Sequence, residues 1–171
     1  MSDIITITSL NPYKLNRFED EYILKLVCEY LNVKDAFKLR DKFEGQLFYD
    51  KIKMKLGAKM VCDNYFSIKT EIKASDLRNY NPSVIINSKR YYINTFNFND
   101  KGIQQPIIDE DKIELNTIFV LFKNPNSFNI VGYSDGTKLK SILKKDVNDN
   151  HIKPKYVLND FSLLDDVLKL K

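Results

Sequence analysis

The chain has 171 residues, 43% of them hydrophobic, enough for one domain with its own core, and no run approaches the roughly 20 apolar residues of a membrane span. It carries a formal charge of +4, two cysteines and one histidine, so a disulfide scaffold, a histidine-rich zinc site and a Ser/His/Asp relay have little to draw on. The opening stretch MSDIITITSLNPYK lacks the basic start and long apolar run of a signal peptide, and a cytoplasmic protein that does not enter a membrane is expected.

Asn11-Pro12 reads as a cap followed by a proline suited to a first helical turn. Leu15, Phe18, Tyr22 and Leu26 then recur at helical spacing to about Leu31. This helix is expected as an extension over residues 1–34, with the core spanning 35–171. Leu39, Phe43, Leu47, Phe48, Ile52 and Leu56 mark a second amphipathic helix, predicted to end at Gly57. Glu44 falls on the row of Phe48 and Ile52, at the edge of the buried stripe, where an ion is costly unless something pairs with it. Asp50 shares the row of Phe43 and Leu47 and is expected to face the core. Cys28 and Cys62 lie within apolar patterns and read as reduced core residues.

From Phe66 the period changes to two. Phe66, Ile68, Thr70, Ile72 and Ala74 share one face; Ser67, Lys69, Glu71, Lys73 and Ser75 share the other. A strand is predicted there, with a hairpin joining it to the apolar run AKMVC that ends at Asp63. RYYINTFNF (90–98) is a further strand, and TIFVLFK (117–123), apolar without alternation, suits a strand covered on both sides. FNIVGY (128–133) follows across an Asn-Pro-Asn turn as its antiparallel partner. Asp135 and Gly136 open a short helix, KYVL (155–158) is a brief strand, and SLLDDVLKL is predicted to close the chain as an amphipathic helix. The fold class is α/β of the α+β kind, a mixed central β-sheet flanked by helices. His151, in DNDNHIKPK, reads as a solvated loop residue.

Charge is unevenly spread. Residues 1–50 hold seven Lys/Arg and nine Asp/Glu, residues 51–105 ten and four, and residues 106–171 ten and ten. The middle third therefore carries the surplus, which suits a polyanionic partner. Within it, Lys69, Arg78, Lys89 and Arg90 are candidates for phosphate contacts, and Tyr80, Tyr91 and Tyr92 for stacking on bases.

The triplet Glu71-Ile72-Lys73 sits in the same region. An acid two places before a lysine should arise about three times by chance in this composition, so the triplet gains meaning only from its neighbours. Asp63 stands eight positions before Glu71, and a hairpin would bring the two carboxylates together. Carboxylates clustered with water are what a hard divalent ion accepts. Such an ion polarises a phosphodiester and lowers the pKa of a bound water, while a nearby lysine positions that water.

In the order Glu44, Asp63, Glu71-Ile72-Lys73 the chain resembles the PD-(D/E)XK nuclease superfamily. The likeness extends as a pattern over residues 36–170, through TIFVLFKNPNSFNIVGYSDGTKLKSIL to the closing YVLNDFSLLDDVLKL. The chain departs from the motif in having no proline before Asp63 and only seven residues between it and Glu71. The resemblance implies a restriction endonuclease-like core and a Mg2+-dependent endonuclease (Mn2+ substituting) that hydrolyses DNA, although the sequence itself does not choose between DNA and RNA. Asp63, Glu71 and Glu44 would hold the metal, Lys73 would sit near the attacking water, and Asp50 is the reserve ligand. Restriction-type members commonly act as homodimers. The alternatives are a nucleic-acid-binding module on a degenerate nuclease fold, and a protein-interaction domain.

Overall fold

The computed structural model describes residues 12–42, 44–69, 71–99, 102–123, 125–146 and 153–171. Asn11, Phe43, Thr70 and His151 lie outside them. Helix α1 spans Arg17–Leu31 and starts later than predicted. Its cap is Asn16, whose side chain accepts from the Glu19 N–H while Glu19 Oε1 accepts from the Asn16 N–H (3.0 Å), a reciprocal capping box. Tyr13–Lys14 before it is strand β1. Ile23, Leu26, Val27 and Cys28 are the buried face of α1, whereas Phe18 is 80% exposed.

The predicted second helix is two helices. A short α2 (Ala36–Asp41) is capped by Asp35, and α3 runs from Gly45 to Tyr65. Gly57 does not end α3, because the missing side chain is a contact. A Cβ there would stand 2.4 Å from Cζ of Phe128, so the helix passes over the sheet at that point. AKMVC is accordingly the last part of α3 and not a strand, and Val61 and Cys62 are buried in the core. The two cysteines are buried and free.

Among the described residues from Phe66 to Ser75 the predicted strand does not form. Ser67 takes a left-handed φ of 55°, and the Ile68 N–H reaches back to the Asp63 carbonyl (2.8 Å), closing the C-terminus of α3. The chain then runs irregularly into a 3-10 turn at Ala74–Leu77. Ile68 and Ile72 still pack on the core, and the Ile72 carbonyl accepts from the Tyr22 hydroxyl (3.1 Å). The apolar alternation therefore serves docking against helices.

Strand β2 (Ser83–Ile86), which was not foreseen, forms a hairpin with β3 (Lys89–Asn99). Asn87 and Ser88 between them have φ of 51° and 69°, the left-handed pair that a two-residue turn of matching twist requires. After β4 (Gly102–Ile103) and β5 (Ile107–Asp109) come β6 (Thr117–Lys123) and β7 (Ser127–Ser134), an antiparallel pair as predicted. Among the described residues the main sheet has the order β1-β7-β6-β3-β2, with β4 on β3. β3 and β6 are parallel, with Tyr92 opposite Thr117; the other pairings are antiparallel.

Helices α1, α2 and α3 cover one face. The other carries α4 (Gly136–Ile142) and a three-stranded sheet of β5, β9 (Lys155–Val157) and β8 (Lys144–Lys145). β6 serves both cores: Ile118, Val120 and Phe122 join the first apolar cluster, Phe119 and Leu121 the second. This is an α+β fold with a mixed sheet between layers, and among the described residues no helix is long and apolar enough to cross a membrane.

The last segment corrects the predicted closing helix. It forms two 3-10 turns, Phe161–Leu163 and Val167–Leu170. Between them Asp165 exchanges two backbone hydrogen bonds with Tyr133 (2.8 and 2.9 Å). Phe161 belongs to one core, and Val167 and Leu170 to the other, a division that a single helical stripe cannot serve.

Candidate anion-binding cleft

The sequence candidates for a metal centre do not converge. Glu44 is the residue before α3, exposed and with a left-handed φ of 58°, while Asp63 lies near the other end of the same helix. Nineteen residues at 1.5 Å rise put their backbones about 28 Å apart, so one ion cannot take both. Asp50 does not face the core; it is exposed and accepts from the Gln46 amide (3.0 Å). Asp63 is held by Lys59, whose ammonium lies 2.7 Å away with the lysine side chain 6% exposed. Burial raises the Asp63 carboxyl above its usual range more than Lys59 lowers it.

Glu71 is exposed and in no strand, and Lys73 precedes the 3-10 turn, its N–H donating to Asp76 (2.9 Å). Among the described residues no group of three metal-ligating side chains is gathered. The expected Mg2+ cluster of Glu44, Asp63 and Glu71 is thus not assembled, because residues read as a hairpin are a helix and an irregular segment.

Lys69, Arg78, Lys89 and Arg90 are all exposed, and Arg90 donates to the Ser83 hydroxyl (2.6 Å). Tyr91 is buried edge-on against Tyr133 and is a core residue. Burial raises the Tyr80 phenol, with Asp63 and Asp76 adding to the effect.

A different constellation is built. A cleft of about 220 Å³ lies between α3, the start of β2, β3 and the β5 region, lined among others by Lys51, Lys55, Lys112, Tyr92, Asn94 and Thr95. Lys51 and Lys55 stand one turn apart on α3, so their side chains share a face. Lys55 is anchored by donating to the Tyr80 carbonyl (2.9 Å). Burial lowers its pKa, and the charges of Lys51 and Lys112 lower it further, so Lys55 feels the other two lysines. Asp109 also lines the cleft and is paired with Lys155.

The floor of the site is polar. β2 pairs with β3 over Lys89–Tyr92 and β4 over Phe98–Asn99; between those stretches no strand among the described residues pairs with the outer edge of β3. Asn94 and Thr95 fall in that interval. The Asn94 amide nitrogen donates to the Ile107 carbonyl (3.2 Å), but Asn94 Oδ1 and Thr95 Oγ1 are buried with no hydrogen-bond partner. Unsatisfied buried polar atoms cost on the order of 1–3 kcal/mol each; neighbours on a strand point to opposite faces, so a polar ligand on one side of β3 would relieve one of the two.

The lysine spacing on α3 was visible in the sequence, one lysine per turn at 51, 55 and 59. Lys112, Asn94 and Thr95 gave no comparable signal, since only the packing of α3 over the sheet and the crossover between β3 and β6 bring them together. No protein-family model, no curated protein and no solved structure matches the chain.

Proposed function

We propose that the protein is a nucleic-acid-binding module that grips phosphate with Lys51, Lys55 and Lys112. The observation that carries this reading is that three lysines line one cleft, with Lys55 partly desolvated among like charges. Lysines held so are stabilised by an anion, and a nucleic acid is the polyanion that the charge surplus of residues 51–105 suits. Tyr92, in the lining, offers a ring for a base.

The test is binding to single-stranded and duplex DNA, and to RNA, over a salt series. The logarithm of the affinity should fall linearly with the logarithm of salt concentration. Replacing Lys51, Lys55 and Lys112 together by glutamine should flatten that slope and cost at least tenfold in affinity. A flat salt response in the wild type would leave a protein-interaction domain as the better account.

A second reading, a Mg2+-dependent endonuclease, draws on one feature. Asp63 and Asp76 both act on Tyr80, so the carboxylate near the end of α3 and the 3-10 turn that Lys73 precedes share a neighbour. A metal centre there would use Asp63 and Glu71, with Lys73 at the water, and would omit Glu44. Magnesium or manganese should then raise the melting temperature, and Glu71→Ala should abolish the rise. Lys73→Ala should remove cleavage and leave binding intact. Neither metal shift nor cleavage would leave the binding module alone.

A further inference from the structure

Resting on the nucleic-acid reading, we propose that the cleft takes the terminal phosphate monoester of a strand in preference to its internal phosphodiesters. Three observations point to an end group. The first is charge density. Three lysines lining one cleft, with Lys55 partly buried among them, are best matched by a concentrated negative charge. A monoester carries about −1.5 to −2 near neutral pH, whereas an internal diester carries a single charge.

The second is size. At about 220 Å³ the cleft is smaller than the roughly 300–1,000 Å³ of sites that enclose a drug-sized ligand. It suits the phosphate and part of the sugar at the end of a chain, with the remaining nucleotides outside.

The third is a buried hydroxyl. Thr95 Oγ1 has no partner and has a hydrogen to donate. With the lysines it would face a phosphate, and a monoester offers three terminal oxygens where an internal diester offers two. The Lys155 pairing of Asp109 offsets the negative charge in the lining.

The test compares one single-stranded oligonucleotide in four forms: 5′-phosphate, 3′-phosphate, both ends hydroxyl, and 5′-phosphate with inorganic phosphate as competitor. Affinity is read by fluorescence anisotropy at fixed salt. One phosphorylated end should bind at least tenfold tighter than the hydroxyl form, and inorganic phosphate should displace it. Lys112→Gln and, separately, Thr95→Val should each remove most of that advantage, read as the ratio of phosphorylated to hydroxyl affinity. Equal binding of all forms would overturn the end-group proposal and leave the nucleic-acid reading intact. Binding of none, even at low salt, would overturn both. A melting-temperature rise with inorganic phosphate or a mononucleotide, but no oligonucleotide binding, would overturn a strand as the source of the phosphate.

Discussion

Lys55 on α3 donates to the carbonyl of Tyr80 at 2.9 Å, which ties the longest helix to the chain entering β2 and fixes an ammonium group at the cleft. Burial, then Lys51 and Lys112, lower its pKa below the ordinary 10.5. In the window between the lowered value and 10.5 the unfolded chain binds the proton more tightly, so stability from this group rises as pH climbs through it. Anion affinity should move oppositely. It should decline as pH passes the lowered value, before ordinary lysines titrate, and Lys55→Arg should shift the decline to higher pH; an unchanged profile would remove Lys55 from the site.

The pair Lys59 and Asp63 predicts a sign reversal between single and double variants. Both side chains are largely buried and 2.7 Å apart. Removing only the carboxylate, in Asp63→Ala, should cost about 3 kcal/mol, because a buried ammonium loses a counter-charge at 2.7 Å. Replacing both, Lys59→Met with Asp63→Leu, should return to within about 1 kcal/mol of wild type, since the pair also bears a desolvation cost. Urea unfolding of the three proteins decides this.

Gly57→Ala separates helix propensity from packing. Propensity alone would make alanine better by about 1 kcal/mol in a helix interior. The contact with the Phe128 ring, 2.4 Å from the would-be Cβ, should instead make the variant less stable by about 1–3 kcal/mol. At this chain length that is a fall of roughly 2–4 °C in Tm per kcal/mol, measurable by calorimetry. A rise would mean that α3 sits farther from β7.

Asp135 caps α4, accepting from the Lys138 N–H and the Thr137 hydroxyl, both at 2.8 Å. The Lys138 N–H first, then Thr137, lowers its pKa. A lowered carboxyl contributes stability above its unfolded value, 3.8, and that stability is lost as pH falls through the folded value. Asp135→Ala should cost about 1 kcal/mol at pH 7 and less at pH 2, whereas Asp135→Asn should keep most of the cap at both.

The strands that were legible from the sequence were those whose neighbours are local or whose burial is complete. β6 reads as a core strand because residues 117–122 are buried whichever way they point, and β7 pairs with it across a short turn. The segment 66–75 misled because Ile68 and Ile72 alternate with polar residues while docking on helices, and an apolar residue buried by a helix has the same identity as one buried in a sheet. AKMVC misled because Gly57 reads as a stop until Phe128 is known to press against it. The acidic candidates followed from those two errors, since Glu44 and Asp63 converge only if α3 is cut. The lysine cleft depends on three separate stretches of chain meeting, a fact of topology that no window of sequence contains.

The parallel pairing of β3 with β6 bears on how the protein assembles. The two hairpins, β2 with β3 and β6 with β7, each close over a few residues, whereas joining them requires the crossover through β5 to be brought back across the sheet, a slower event because its loop entropy is lost before any contact repays it. Since the cleft takes its walls from α3, β3, that crossover and the start of β6, it is complete only once the two hairpins are joined. An anion seated there would act as a latch on that seam, slowing its opening far more than it speeds its closure.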